Sequence, residues 1–473
     1  MQTAPTPRAS YSRGPYRFNP TVLREYDIRG IVDENLSDQD AFAIGCAFGT
    51  MVKRRGGTSV AIGYDGRETS PIYANAVTQG LLSTGLNVTS IGEGPSPMLY
   101  FAVKSRKEDA GIMITGSHNP SNYNGFKMIF QNQSVFGELV QEIGQIAAKA
   151  DYETGEGSYQ EIDVSTDYIK RILQDLDTNK PFKIVWDNGN GAAGDILTRL
   201  VKKLPGEHHL LYADIDASFP NHHPDPTVDE NLEDLVKAVR EHKADLGIAF
   251  DGDADRIGVV DENGNILRCD ILMAIYAKSV LKDHPNSSIV GDIKCSKVMF
   301  DEIKALGGNP VMWKTGHSLI KTKMAELKAP LAGELSGHIF FADRYYGYDD
   351  ALYCSIRLLN AMAEANQKLS EMTAHMPVLF STPEIRFEVN EATKFANIDT
   401  LVQNVKDTSG DDTEVNDIDG VRVTTDDGWW LVRASNTQNV LVTRAEGTSE
   451  EGLERLKDMI QTHVNKIGYT VPF

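Results

Sequence analysis

Six short apolar runs, each stopping at a polar loop, recur in fixed alternation along the chain and limit what it can fold into. One set, residues 60–65, 184–187 and 289–292, ends each time at an aspartate: Asp65, Asp187 and Asp292. The other set, residues 111–115, 246–250 and 331–334, ends each time at a polar loop. One run of each set falls before residue 160, one of each by 265 and one of each by 350. Runs this short and apolar read as buried strands. Helical patterns such as residues 70–84 and 231–242 lie between them. The expected class is α/β: three tandem related units with mixed sheets covered on both faces, alike in pattern rather than in letters. In such sheets ligands collect at the carboxyl ends of strands, where these loops lie.

The final stretch differs. Residues 385–389 alternate as a strand and a helical segment follows. Strands at 420–424 and 429–433 flank the turn Asp426-Asp427-Gly428, and a strand at 440–444 and a helix at 449–466 close the chain. This reads as a small α+β domain with an antiparallel sheet. A single core stops growing at about 250–300 residues, so a 473-residue chain must divide. The expected division is a flexible tail at 1–19, α/β domains at 20–162, 163–265 and 266–378, and an α+β domain at 379–473, arranged around a central cleft. The tail carries Arg8, Arg13 and Arg17 without an acid, but Pro5, Pro7 and Pro15 oppose the amphipathic helix of a transit peptide.

Charge narrows the partners. Sixty-seven acidic against 47 basic residues leave a formal net charge of -20, which repels nucleic acid and anionic membranes. No apolar run is long enough to span a bilayer. An anionic small molecule would be repelled as well unless the basic residues are gathered into one cleft. Cys46, Cys269, Cys295 and Cys354 are scattered without metal-ligand spacing, which fits free thiols in a reducing, cytoplasmic setting.

Four loops carry the chemistry. In Thr115-Gly-Ser-His-Asn-Pro120, Gly116 permits a turn that exposes Ser117, while His118 and Asn119 offer donors to a phosphate on it; taken alone, the loop also reads as a polar turn. In Asp251-Gly-Asp-Ala-Asp-Arg256, three carboxylates at alternate positions can face one hard cation such as Mg2+ or Ca2+. The EF-hand alternative fails, because Arg256 stands where that loop requires Gly and the flanks are strand-like. Gly333-Glu-Leu-Ser-Gly-His338 projects Glu334 and Ser336 to the same side, where they can grip neighbouring hydroxyls, with His338 as a possible acid or base. Arg433-Ala-Ser-Asn-Thr437 supplies a guanidinium, hydroxyls and an amide for a phosphate, and Arg444 on the next strand offers a second charge. Arg29, Lys127, Lys294 and His317 stand near these loops as the positive charge to be concentrated.

Serine loop, metal loop, sugar loop and phosphate loop, one per domain and in this order from Tyr26 onward, resemble the α-D-phosphohexomutase superfamily. Within it, the sugar loop and the Arg-Ala-Ser-Asn-Thr loop are similar to the bacterial phosphomannomutase/phosphoglucomutase branch. The resemblance implies a mutase that interconverts hexose 1-phosphates and 6-phosphates of mannose or glucose. Ser117 would be the phosphoserine, with Mg2+ held by Ser117, Asp251, Asp253 and Asp255. Arg29 would neutralise moving charge, and Lys127 and His338 would transfer protons. Glu334 and Ser336 would hold the O3 and O4 hydroxyls. Arg433, Ser435, Asn436 and Thr437 would hold the idle phosphate, and Tyr26, Arg256, Lys294 and His317 would line the substrate. Hexose 1,6-bisphosphate would be intermediate and activator, the partner being a small phosphohexose.

One position departs from the family pattern: the metal loop has Ala254 where Gly is usual, which costs roughly 1 kcal/mol or more if φ there is positive. The alternatives are a phosphoglucosamine mutase, a phosphatase in which water intercepts the phosphoserine, and a non-catalytic sugar-phosphate or cation-binding protein. The oligomeric state and the preferred hexose are not legible.

Overall fold

The computed structural model describes residues 11–410, 413–436 and 438–473. The first three sheets share one wiring. Each runs strand, helix, strand, helix, strand, loop, strand, and each places the last of these strands antiparallel beside the third. In the first sheet, Asn87–Glu93, Ser59–Tyr64 and Ala110–Ile114 lie parallel, and Tyr123–Phe130 turns back antiparallel. In the second, Gly206–Leu211, Phe182–Asp187 and Leu246–Phe250 lie parallel, with Ile257–Asp261 antiparallel. In the third, Asn309–Trp313, Ser288–Asp292 and Leu331–Gly333 lie parallel, with Ile339–Phe341 antiparallel.

This repetition explains where the loops sit. The connection from the third strand to its antiparallel neighbour is the serine loop in the first sheet, the metal loop in the second and the sugar loop in the third. A hairpin-like reversal at the carboxyl end of a buried parallel strand exposes loop backbone and side chains at the sheet's ligand edge. Strand burial is near complete at this point: Ala110–Ile114, Leu246–Phe250 and Leu331–Gly333 are buried throughout.

The fourth sheet is antiparallel, ordered Phe380–Ser381, Val440–Gly447, Gly428–Ala434, Val421–Thr425, Glu414–Asn416, with Ile385–Glu388 also on Val440–Gly447. Helices Lys394–Thr408 and Glu450–Asn465 pack on it around a core that includes Trp430, Leu441 and Leu456. The other face meets the third domain, where Trp429 and Leu431 pack on Ile293.

The expectation of a loose tail fails for residues 11–19. Tyr11 stacks on Phe42 at 4.9 Å, Arg13 donates to the carbonyls of Ser83 and Glu153 at 3.2 and 2.7 Å, and Phe18 is buried in the first core. Three aromatic side chains among the prolines supply the apolar surface that anchors the segment. Residues 1–10 of that expected tail lie outside the described residues.

Candidate active site

The serine and metal loops are in direct contact. Ser117 adopts φ 50°, in the left-handed region, and is 2% exposed; its Oγ donates to Asp251 Oδ2 at 3.1 Å and lies 3.3 Å from His118 Nδ1. The approach depends on Gly252, where a Cβ would stand 2.4 Å from the Ser117 carbonyl oxygen. Ala254 does have positive φ, 56°, and it is fully buried, so the strain foreseen for Ala is present while its methyl group is packed in the core.

Asp251, Asp253 and Asp255 are buried and offer carboxylate oxygens within 4.8 Å of one another. Asp251 Oδ1 accepts the N–H groups of Asp255 and Arg256, both at 3.1 Å, which folds the loop tightly. Lys127 donates to Asp253 Oδ2 at 2.6 Å and to Asp255 Oδ2 at 2.5 Å, and the Ser96 hydroxyl donates to Asp253 as well. Asp253 Oδ1 is buried without a hydrogen-bond partner. Burial, with the charges of Asp255 and Asp253 added, pushes the Asp251 carboxyl well above the usual range. Three crowded carboxylates, an orphaned oxygen and an adjacent serine hydroxyl form an all-oxygen donor set that suits a hard divalent cation.

The sugar loop closes the far side. His338 lies between two carboxylates, with Nδ1 3.1 Å from Glu334 Oε2 and Nε2 3.2 Å from Asp255 Oδ1. Burial opposes its charge, but Asp255 and Glu334 raise it to about 9. Glu334 is likewise opposed by burial and brought to about 2, chiefly by His338. The other oxygen of Glu334 accepts the Gly316 N–H at 2.6 Å, and Ser336 Oγ lies 3.2 Å from His338 Nδ1. His317 stacks on His338 at 5.2 Å and faces Asp349 at 3.3 Å. Arg256 Nε stands 3.9 Å from Asp251. Against burial, the carboxylates of Asp253 and Asp255 hold the Lys127 ammonium protonated.

The remaining positions divide. Arg29 pairs with Asp27 at 2.5 Å and keeps Nε buried without a partner. Tyr26 donates to the Thr315 carbonyl at 2.9 Å and accepts from Asn436 Nδ2 at 2.5 Å, so the first domain touches the third and the fourth through one phenol. Lys294 pairs with Glu384 at 3.1 Å. Arg433 donates to Asp419 at 2.9 Å, and buried Ser435 accepts the Gln438 N–H at 3.1 Å. Thr437 lies outside the described residues.

Arg444 does not join the phosphate loop. Its guanidinium donates to the Lys294 carbonyl, lies 3.3 Å from Glu446 and packs on Trp429 at 5.3 Å. The strand register pairs Arg444 with Leu431 and Val442 with Arg433, so Arg444 sits two residues, about 7 Å, further along the same face, against the third domain. Arg422 reinforces that contact, donating to the carbonyls of Ile293 and Cys295 at 2.6 and 2.7 Å.

Several residues of the site escape a motif reading: Arg67 and Asp65 behind the serine loop, Ser96 on Asp253, and Asp349 between His317 and Lys321. The strand-end aspartates were the available signal. Asp65 Oδ2 accepts the Gly116 N–H at 3.0 Å, and Asp292 Oδ1 accepts the Leu335 N–H at 3.2 Å, each holding the loop on the neighbouring strand.

Comparison with known proteins agrees with this layout. The description phosphoglucomutase/phosphomannomutase, alpha/beta/alpha domain I, matches residues 20–154; domains II and III match 166–264 and 268–379, and the C-terminal domain matches 384–463. The chain belongs to the phosphoglucomutase/phosphomannomutase family. It is 42% identical over 452 residues to a phosphomannomutase/phosphoglucomutase of Pseudomonas aeruginosa, covering 96% of this chain and 97% of the relative. A phosphoglucomutase of Neisseria meningitidis is 39% identical over 443 residues, 93% of this chain and 96% of that one. A crystal structure of a family protein from Burkholderia thailandensis superposes with TM-score 0.91 at 40% identity, covering 96% of this chain and all of that one. This family member is a hexose-phosphate mutase, an intramolecular phosphotransferase acting on a small molecule. The family works with a metal, and the acidic cluster is a place to hold one. Among the described residues no helix is long and apolar enough to cross a membrane.

Proposed function

We propose that the mutase carries the phosphoryl group on Ser117 and works at both ends of a mannose or glucose phosphate through a 1,6-bisphosphate. The supporting observation is one buried cluster in which the Ser117 hydroxyl, the Asp251–Asp253–Asp255 loop, Lys127 and His338 are linked by contacts of 2.5–3.2 Å. Asp251, Asp253, Asp255 and Ser117 would hold Mg2+, which when bound offsets the negative charge of the phosphoryl group.

The chain's own residues do the rest. When Ser117 takes a phosphoryl group from a substrate, its hydroxyl proton passes to Asp251, which already accepts its hydrogen bond, and the departing sugar oxygen takes a proton from Lys127 or His338, both held protonated in the same cluster. In the reverse direction the same groups take the proton back. The unpartnered Nε of Arg29 is a donor free for the moving phosphate. Glu334 and Ser336 hold the sugar hydroxyls, with Arg256, Lys294, His317 and Tyr26 lining the cleft. Arg433, Ser435, Asn436 and Thr437 hold the phosphate that is not transferred.

One fixed serine serves O1 and O6 only if the bisphosphate turns over, so the phosphate loop must release either end. The contacts suit this: the Asn436–Tyr26 hydrogen bond joins the fourth domain to the first, while Arg422, Arg444, Glu446 and Trp429 bind it to the third. Breaking that bond while keeping the second set lets the fourth domain pivot away from the first.

A phosphorus NMR time course on glucose 1-phosphate with Mg2+ and a trace of glucose 1,6-bisphosphate tests the reading. The 6-phosphate signal should grow without free phosphate, and Ser117→Ala should abolish it. Turnover undiminished in Ser117→Ala would overturn the carrier role.

A further inference from the structure

The serine loop is gripped from behind by a single guanidinium that does not face the cleft. Arg67 is 2% exposed, and its N–H donors are all engaged. Nε donates to Asp65 Oδ2 at 3.1 Å; Nη1 donates to the carbonyls of Pro120 and Tyr123 at 2.6 and 2.9 Å; Nη2 donates to those of Ser117 and Asn119 at 3.0 and 2.7 Å. Asp65 completes the bracket by accepting the Gly116 N–H at 3.0 Å and the Ser70 hydroxyl at 2.5 Å. There is no slack: a Cβ on Gly116 would stand 2.3 Å from the Arg67 guanidinium carbon, and one on Gly252 would stand 2.4 Å from the Ser117 carbonyl. Phe219 of the second domain lies over the guanidinium at 5.4 Å.

A turn that holds Ser117 at φ 50° points its carbonyls inward, and each needs a donor. Only a planar five-donor fork reaches four carbonyls and a carboxylate from one side chain; lysine offers three donors as a point charge. With every donor spent, Arg67 has none left for substrate phosphate. In-line transfer tolerates little error, and a displacement of about 1 Å costs on the order of 100-fold.

We propose that Arg67 is a positioning residue for phosphoryl transfer: through four loop carbonyls it holds the Ser117 oxygen in line between the metal loop and the sugar. This rests on Ser117 as the phosphoryl carrier. The test is single-turnover transfer from phosphorylated enzyme to glucose 1-phosphate by rapid quench, in wild type and in Arg67→Lys, alongside steady-state kinetics. In Arg67→Lys the transfer rate constant should fall 10- to 100-fold at conserved amplitude per phosphoserine, with KM within twofold of wild type. A merely structural role would lower the amplitude and leave the rate constant, and that result overturns the proposal. If Arg67→Lys does not fold, Asp65→Asn takes its place, with a smaller loss of rate constant expected and a wild-type rate constant refuting. Intact mass of the wild type after incubation with glucose 1,6-bisphosphate and Mg2+ separates the two readings, since a chain that takes up no phosphate under those conditions sinks the carrier role itself.

Discussion

Replacing Lys127 by Met tests whether the acidic cluster is built for a cation. Lys127 is 7% exposed, and its ammonium bonds two fully buried carboxylates, at 2.6 and 2.5 Å. Removing one partner of a buried pair leaves uncompensated charge and costs about 3–5 kcal/mol. Here Asp251, Asp253 and Asp255 would also be left to repel one another with one positive neighbour fewer. For a cooperative unit of about 150–250 residues, that loss lowers Tm by roughly 6–20 °C in EDTA. On the proposed site Mg2+ would take the same oxygens, and at a hundred times its Kd it would return about 2.7 kcal/mol. In the wild type it must compete with Lys127, so Mg2+ should raise the Tm of Lys127→Met by more and narrow the gap. Calorimetric melts of both proteins with EDTA and with Mg2+ measure this. A variant that melts like wild type in EDTA would refute the pairing argument. A gap unchanged by Mg2+ would refute the claim that ammonium and cation share these oxygens.

Gly252→Ala should cost about 1–3 kcal/mol by overpacking, because its Cβ meets the Ser117 carbonyl at 2.4 Å, and steady-state assays should record a larger fall in kcat than in KM. Arg444→Met should lower stability in urea titrations while leaving inhibition by inorganic phosphate within twofold of wild type; Arg433→Met should weaken that inhibition at least tenfold. Glu384 is held at about 2 because Lys294 and Arg386 outweigh its burial. A depressed carboxylate contributes stability fully above its unfolded value near 4.5 and loses it as pH falls through 2. Urea titrations from pH 5 down to 2 should therefore show Glu384→Gln losing up to about 3 kcal/mol less than wild type. Ala254→Gly should change stability by no more than about 1 kcal/mol in the same titrations, since relief of the left-handed strain is offset by a lost buried methyl and a more flexible unfolded chain.

Much of the site was legible because its chemistry is contiguous. Ser117 with its neighbours, the three alternating aspartates, and Glu334, Ser336 and His338 each occupy one loop, so the residue letters carry the donors and acceptors directly. Arg67 was not legible, because its partners are carbonyls, and every residue has one. Arg444 misled because its strand position shares a face with Arg433; the pairing register then sets it against Lys294 and Glu446. Residues 11–19 misled because prolines and arginines hid what Tyr11, Tyr16 and Phe18 would bury.

The three-unit α/β pattern, the order of the loops and the hard-cation character of the metal loop follow from the sequence alone. All three are local properties: period, turn residues and donor atoms within a few positions of one another. Which side chains meet across domains was decided only by the tertiary structure. His338 reaches Asp255 and Tyr26 reaches Asn436 because loops carried by different sheets pack against one another. Such contacts depend on packing between sheets, which no short stretch of chain encodes.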